Sequence, residues 1–187
     1  NRRGVAVAAS LHFAPTERAR RNLLAEGVAP ERVSVVGNTI VDAVARVLRG
    51  RPREDPGPGR ATVLVTLHRR ESFGAPLERA LEAIRVLALE RGDAVRVVLP
   101  VHPNPNVSAP VRRLLDGLPN VELCAPLDYP AFLETFSRAR FALSDSGGVQ
   151  EEAPCVGVPV LVARETTERP EVIESGWGVL VGTDPDR

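Results

Sequence analysis

The chain has 187 residues, of which 43% are hydrophobic, and its 24 basic residues, all arginine, balance 24 acidic ones. The zero net charge gives no electrostatic support for binding nucleic acid or an acidic membrane surface. No apolar run approaches the roughly 20 residues needed to span a bilayer, and no signal peptide is visible, so we expect a cytoplasmic protein without a membrane partner.

The first part of the chain predicts short strands and helices joined by turns. Thr16 and Gly27 are suited to begin and end one helix, and residues 40–48 carry apolar side chains at helical spacing. Residues 50–59 are rich in proline, glycine and charge, which predicts a surface loop at a domain boundary. Short strands are expected at 11–14 and 33–36.

From residue 60 onward, strand and helix patterns alternate. This alternation is typical of a Rossmann-like α/β fold, a parallel sheet with helices on both faces. In such sheets ligands bind beyond the carboxyl ends of the strands. Strands are predicted at 62–66, 95–101, 121–123, 139–143, 158–162 and 178–181. Helices are predicted at 76–90, 108–115 (capped by Ser108) and 129–139 (capped by Asp128), and a further helix is predicted between the glycine pair and Gly157.

The sequence Ser146-Gly147-Gly148 follows a predicted strand and begins a helix. Two glycines without Cβ atoms let a ligand approach the main chain, and the first amides of a helix attract an anion such as a diphosphate. Glu152 lies about 6 Å further along the same face as Gly148, whereas Glu151 points about 100° away. The Glu152 carboxylate is therefore placed to accept from the two hydroxyls of a ribose. The alternative is a tight turn with a helix cap.

Two histidines also lie where predicted strands end. His68 is followed by Arg69 and Arg70, and three adjacent basic side chains could neutralise a diphosphate or assist a leaving group. The alternative is a solvated charge cluster in a loop. His102 lies in a loop stiffened by two prolines and is either a ligand contact or a structural turn residue.

Arg169 and Phe132 are further candidates for the same site. Arg169 follows the fifth predicted strand of the sheet and either reaches the phosphates or pairs with Glu168 or Glu171. Phe132 either lines a pocket for a base or packs in the core as an ordinary helical residue.

Several other kinds of site are not indicated. No Gly-x-Gly-x-x-Gly follows the first strand of the sheet, which argues against a dehydrogenase. No Walker loop, Gly-x-Ser-x-Gly elbow or zinc-ligand spacing is present, so we expect no cofactor and no metal. Cys124 and Cys155 are expected to be buried free thiols.

Six short motifs extend over nearly the whole chain. They are VGNTIVD (36–42), TLHRRE (66–71), PVHPNP (100–105), PLDY (126–129), SDSGGVQEEAP (144–154) and TTERPE (166–171). As a set they resemble the non-hydrolysing UDP-N-acetylglucosamine 2-epimerase family.

The resemblance implies a domain organisation. The family has two Rossmann-like domains of the glycosyltransferase-B type, with the substrate in the cleft between them. Residues 1–36 would be the tail of the first domain, 37–59 an interdomain helix and loop, and 60–187 the UDP-binding second domain without its final C-terminal helix. The rest of the first domain would precede Asn1.

The resemblance also implies an activity. Family members interconvert UDP-GlcNAc and UDP-ManNAc by elimination and re-addition of UDP, here expected to serve cell-envelope polysaccharide synthesis. The acid and base carboxylates would lie in the first domain, so the chain alone is expected to be inactive. A homodimer is considered as its assembly.

Carried over position by position, the resemblance implies contacts to UDP. Ser146, Gly147 and Gly148 would hold the diphosphate, Glu152 the ribose and the region of Phe132 the uracil. Ser72 stands where the family usually has asparagine, and Trp177-Gly178 replaces smaller or more polar residues.

The resemblance implies two further roles. His68 would lie against the diphosphate as UDP leaves, with support from Arg169. Arg69 and His102 match positions implicated in binding a second, activating UDP-GlcNAc. Two other functions stay open: a glycosyltransferase of the same architecture, and a nucleotide-sugar sensor that kept the pocket and lost the chemistry.

Overall fold

The computed structural model describes residues 2–50 and 59–184, and the chain divides into two compact units, residues 1–43 and 44–187. In the first unit two short parallel strands pair in register, with His12 opposite Val33. Thr16 caps a helix by accepting from the amide of Ala19 at 3.1 Å, as its sequence position predicts. The elements are α1 (Arg2–Ala8), β1 (His12–Ala14), α2 (Glu17–Ala25), β2 (Val33–Val35) and α3 (Thr39–Val47), which crosses the boundary between the units.

The second unit is a six-stranded sheet in which every strand pair is parallel, which confirms the predicted α/β fold. Its strands are β3 (Ala61–Thr66), β4 (Val95–Pro100), β5 (Val121–Cys124), β6 (Phe141–Ser144), β7 (Val160–Val162) and β8 (Gly178–Leu180). Its helices are α4 (Ala75–Arg91), α5 (Pro105–Leu115), α6 (Tyr129–Ser137), α7 (Gly147–Val156) and α8 (Pro170–Glu174).

The strand order is β5-β4-β3-β6-β7-β8. In chain order, β3, β4 and β5 extend from the centre to one edge of the sheet. The chain then returns to the centre, and β6, β7 and β8 extend to the other edge. β3 and β6 are therefore neighbours at the point where the strand order reverses, with Thr66 opposite Ser144. In open parallel sheets the crevice for a ligand forms at this reversal.

Both faces of the sheet are buried because side chains alternate along each strand. Val63, Val65 and Val97 point towards α4 and α5 and join their apolar residues in one cluster. Leu64 points to the opposite face and is also fully buried. Each large aliphatic side chain buried in this way stabilises the fold by about 1.5–3 kcal/mol.

The prediction that α5 begins at Ser108 was wrong. The helix begins one turn earlier, where Asn104 accepts from the amide of Asn106 at 2.9 Å and Pro105 occupies the first position. The two sites carry the same signal of a capping residue followed by proline, but the earlier start also buries Val107 completely. Pro110 then lies inside the helix and lacks the amide that would complete the ladder.

Three other predictions concern the domain boundary, the cysteines and membrane insertion. The loop predicted at 50–59 lies almost wholly outside the described residues, and the predicted domain limits stay a prediction. Cys124 and Cys155 are free but only partly buried, so the expectation of full burial was wrong. Cys124 ends an edge strand, where an apolar sequence neighbourhood does not ensure cover. None of the described helices has the length and apolar character to cross a membrane.

Candidate functional site

The carboxyl ends of β3 and β6 are tied together by hydroxyl and backbone groups. Thr66 Oγ1 and Ser144 Oγ lie 2.6 Å apart, and Ser144 Oγ also accepts from the amide of Ser146 at 3.0 Å. The amide of Asp145 donates to the carbonyl of Thr66 at 3.2 Å. These bonds fix the turn that leads from β6 into α7.

Asp145 is a fully buried carboxylate at this junction, and it was not singled out from the sequence. It accepts from the backbone amide of His68 at 3.0 Å and from that of Arg69 at 2.9 Å. Its Oδ1 atom also lies 3.7 Å from Nδ1 of the His68 ring. Asp145 therefore fixes the main chain of the loop after β3 and lies beside the imidazole of His68.

His68 and His102 lie side by side, although they follow different strands. Their ring centroids are 5.9 Å apart and the ring planes differ by 11°. The amide of Asn104 donates to Nδ1 of His102 at 3.1 Å, so a neutral His102 carries its proton on Nε2. His102 is thus a turn residue whose side chain lines the cavity described below, and its role as a ligand contact stays a prediction.

The first residues of α7 leave room for a ligand. Ser146 occupies the N-cap position but makes no side-chain capping bond, so its hydroxyl is available. Gly148 lines the cavity described below. A Cβ atom at Gly147 would lie 3.2 Å from Oε1 of Glu168, which is tighter than an ordinary contact. A side chain at Gly147 would therefore require the Glu168 carboxylate to shift by a few tenths of an ångström.

The loop after β7 is held against α7 by a buried amide. Gln150 is fully buried and donates to the carbonyl of Ser146 at 3.1 Å. Its Oε1 atom accepts from the hydroxyl of Thr167, which in turn accepts from the amide of Arg169 at 3.0 Å. The Arg169 side chain pairs with Glu151, a partner that the sequence reasoning did not consider.

Glu168 and Arg69 form a charged cluster beside the start of α7. Arg69 donates to Glu168 Oε1 at 3.1 Å and also pairs with Glu71, and Arg164 contacts the other oxygen of Glu168. Burial opposes ionisation of Glu168, but a backbone hydrogen bond and the two arginines outweigh it and lower its pKa to about 2. Glu168 is therefore ionised beside Gly147, and its charge is compensated by the two arginines.

Glu152 and Tyr129 are neighbours that line the same cavity. Glu152 is 6% exposed, and burial raises the pKa of its carboxyl group, while the Tyr129 hydroxyl acts in the opposite direction. Burial and, next, the charge of Glu152 raise the pKa of Tyr129 to about 12. Glu151 points to a different partner, Arg169, which confirms the predicted difference between the two adjacent glutamates.

A cavity of about 500 Å³ opens at this end of the sheet, a volume within the range of small-ligand pockets. Its lining combines apolar surface with a few polar groups. The predicted site residues that line it are His68, His102, Phe132, Ser146, Gly148 and Glu152. Gly147, Arg69 and Arg169 lie outside this lining, in the charged cluster and the loop after β7. Phe132 is partly exposed and is therefore not simply a core residue.

The arrangement suits an extended anionic ligand. Helix amides and Ser146 can receive a diphosphate, and Glu152 can accept from sugar hydroxyls one turn further along α7. Phe132 offers an aromatic face, with its ring centroid 5.7 Å from that of Phe136. Among the described residues there is no group of three or more His, Cys, Asp or Glu side chains that could hold a metal ion.

Comparisons with known proteins agree with this geometry. The whole chain, residues 1–187, matches the family described as UDP-N-acetylglucosamine 2-epimerase. A relative from Yersinia pestis named UDP-N-acetylglucosamine 2-epimerase is 47% identical over 94% of this chain and 50% of its own length. The chain thus spans about half the length of the curated relatives that it matches.

Two solved structures are similar to this one. The Neisseria meningitidis UDP-GlcNAc 2-epimerase bound to UDP-GlcNAc is 38% identical, with a TM-score of 0.89 over 100% of this chain and 53% of that one. The Staphylococcus aureus MnaA–UDP structure is 40% identical, with a TM-score of 0.89 over 97% of this chain and 50% of that one. The architecture is that of a glycosyltransferase-B-type domain.

Proposed function

Because the chain belongs to the UDP-N-acetylglucosamine 2-epimerase family, we propose that it supplies the UDP-binding half of an enzyme that interconverts UDP-GlcNAc and UDP-ManNAc. The reaction proceeds by elimination of UDP and its re-addition to the unsaturated sugar. One observation carries the proposal: Gly148 and Glu152 line the same cavity, one helical turn apart, at the reversal of the strand order. This spacing matches a diphosphate followed by its ribose.

Each part of UDP has a proposed partner. Ser146 and the amides of Gly147 and Gly148 bind the diphosphate, Glu152 accepts from the ribose hydroxyls, and Phe132 contacts the uracil. The similarity to structures bound to UDP and to UDP-GlcNAc supports this assignment. No cofactor takes part in the proposed reaction.

His68 acts on the departing diphosphate. Elimination leaves negative charge on the leaving group, and the imidazole of His68, whose backbone amide is held by Asp145, stabilises that charge more in the transition state than in the bound substrate. Arg169 contributes a nearby positive charge, although its side chain is paired with Glu151. The carboxylates that move the proton at the sugar carbon belong to the half of the relatives that this chain does not span.

The activator site remains part of the proposal. His102 stacks on His68, which supports a place for a second UDP-GlcNAc directly beside the departing diphosphate. Arg69 is held by Glu168 and Glu71 and would have to exchange one of these partners to reach the activator. The domain limits at residues 36 and 59, a homodimer and a cytoplasmic location also stay predictions.

The test compares two adjacent glutamates. We expect the chain to bind UDP and Glu152→Gln to weaken binding by about 1.5–3 kcal/mol, since a charged acceptor of the ribose hydroxyls is lost. Glu151→Gln changes the same residue type one position away, on a different face of α7, and should have a much smaller effect. Isothermal titration calorimetry measures both. Equal losses in the two variants would contradict the assignment of Glu152 to the ribose.

A further inference from the structure

The hydroxyl group of Tyr129 has an unsatisfied hydrogen-bonding requirement. Its Oη atom is buried, and within residues 59–184 it makes no hydrogen bond of normal geometry, although the Glu152 carboxylate lies near enough to raise its pKa. Buried donors are rarely left unpaired in native structures because the lost hydration costs free energy. Tyr129 lines the 500 Å³ cavity, so a ligand in that cavity is the natural source of the missing partner.

Glu152 restricts the chemistry of that partner. The carboxylate lines the same cavity and lies close enough to Tyr129 to act on its hydroxyl through its charge. Tyr129 remains protonated at neutral pH, since its pKa is raised to about 12, and it can donate. A carboxylate only accepts. A ligand group that contacts both side chains must accept a hydrogen bond from Tyr129 and donate one to Glu152, and a hydroxyl does both.

The location of Tyr129 agrees with a sugar hydroxyl. Tyr129 begins α6, whose N-cap Asp128 accepts from the amide of Ala131 at 2.9 Å and so fixes the first turn. Phe132, the proposed contact of the base, lies three residues further on the same side of α6 and lines the same cavity. Tyr129 therefore lies next to the proposed base contact and lines the same cavity as the proposed ribose contact.

We propose that Tyr129 is a ribose-recognition residue: its hydroxyl donates to one ribose hydroxyl of the bound nucleotide, and that hydroxyl donates to Glu152. The proposal rests on the proposed UDP site and adds a second side chain to it. In such a series of hydrogen bonds each bond polarises the next. Tyr129 and Glu152 together should therefore discriminate ribose from deoxyribose more strongly than Glu152 alone.

The test measures nucleotide affinity by calorimetry for the wild-type chain and Tyr129→Phe, which keeps the ring and removes only the hydroxyl. Three ligands are compared: UDP, 2′-deoxy-UDP and 3′-deoxy-UDP. We expect Tyr129→Phe to weaken UDP binding about 5–10-fold. Of the two deoxynucleotides, the one that lacks the hydroxyl contacted by Tyr129 should bind the variant and the wild type equally.

Three outcomes would overturn the proposal or separate it from the proposed function. If Tyr129→Phe binds UDP as tightly as the wild type, or loses affinity for all three nucleotides by the same factor, Tyr129 does not read the ribose. If the wild type binds UDP and Glu152→Gln weakens it while Tyr129→Phe does not, only the role of Tyr129 fails. If the wild type does not bind UDP, the proposed function fails with it.

The melting temperature of Tyr129→Phe without nucleotide should not fall, because no hydrogen bond of normal geometry is removed.

Discussion

At the scale of single residues, Glu152 shows how burial prepares a carboxylate for a ligand. It is 6% exposed, and burial raises its pKa, so the ionised form lacks part of the hydration that an exposed glutamate has. Two donating hydroxyls would replace that hydration. Recognition of the ribose should therefore depend on the ionisation of Glu152.

This dependence gives a prediction on pH. The ratio of the Kd for 2′-deoxy-UDP to the Kd for UDP should be largest at neutral pH, where Glu152 is ionised. It should fall several-fold as the pH drops towards about 4, because hydrogen bonds to a neutral carboxyl are weaker than those to a carboxylate. Since the pKa of Glu152 is raised, the fall begins at a higher pH than for an exposed glutamate. Calorimetry at several pH values measures both Kd values. Ionisation of the diphosphate changes both of them equally and therefore cancels in the ratio.

Glu152→Gln is the control for this titration. In that variant the ratio should be small and independent of pH over the same interval. A wild-type ratio that stays constant from pH 7 to pH 4 would show that Glu152 does not carry ribose recognition.

The residues missed by sequence reasoning share one cause. Asp145 and Tyr129 act on partners that are distant in the chain, and the periodicity of a segment does not specify those partners. Asp145 contacts His68 only because β3 and β6 are neighbours in a particular register. The acidic residue between a strand and a Ser-Gly-Gly turn was a visible signal, but its burial and its two backbone donors were not.

At the scale of elements, helix and strand positions were well predicted because the alternation of apolar patterns is strong from residue 60 onward. Boundaries were less certain, and α5 shows why: two capping signals compete within one segment, and the burial of Val107 decides between them. The attachment of the loop after β7 to α7 could not be predicted. It depends on Gln150, which lies on a helix face that looks polar in the sequence but is fully buried.

This attachment can be tested by removing one hydroxyl. Thr167→Val should lower the free energy of unfolding by about 1–3 kcal/mol, because the buried Oε1 atom of Gln150 loses its donor. Thr166→Val is a matched control: the neighbouring threonine is exposed, and its replacement should change stability by less than about 0.5 kcal/mol. Urea denaturation of both variants measures the difference. Equal stabilities would indicate that the Gln150–Thr167 contact does not hold the loop.

At the scale of the whole molecule, the chain spans half the length of its relatives, whereas the nucleotide cavity lies within residues 59–184. Binding and chemistry should therefore separate. We expect UDP binding to belong to this chain and proton transfer at the sugar carbon to require groups from the other half.

His68 tests this separation in the full-length enzyme. We expect His68→Asn to lower turnover by about 10²–10⁴-fold, the range typical for loss of a catalytic donor or general acid, with a much smaller change in substrate affinity. A coupled assay measures turnover. Near-normal turnover would remove His68 from the mechanism. The 187-residue chain should not catalyse proton exchange at the second carbon of UDP-GlcNAc in deuterated water, and exchange would place the base within it.

The return of the chain from β5 to β6 has a consequence for synthesis on the ribosome. Asp145 and His68 are 77 positions apart, so three strands emerge and can pair before the other wall of the crevice exists. Until β6 arrives, one side of the central strand β3 is an unpaired edge, the kind of surface that promotes aggregation. A nascent chain that stops before α7 would be a partly folded sheet without a nucleotide site, and UDP could stabilise the domain only after α7 has been made.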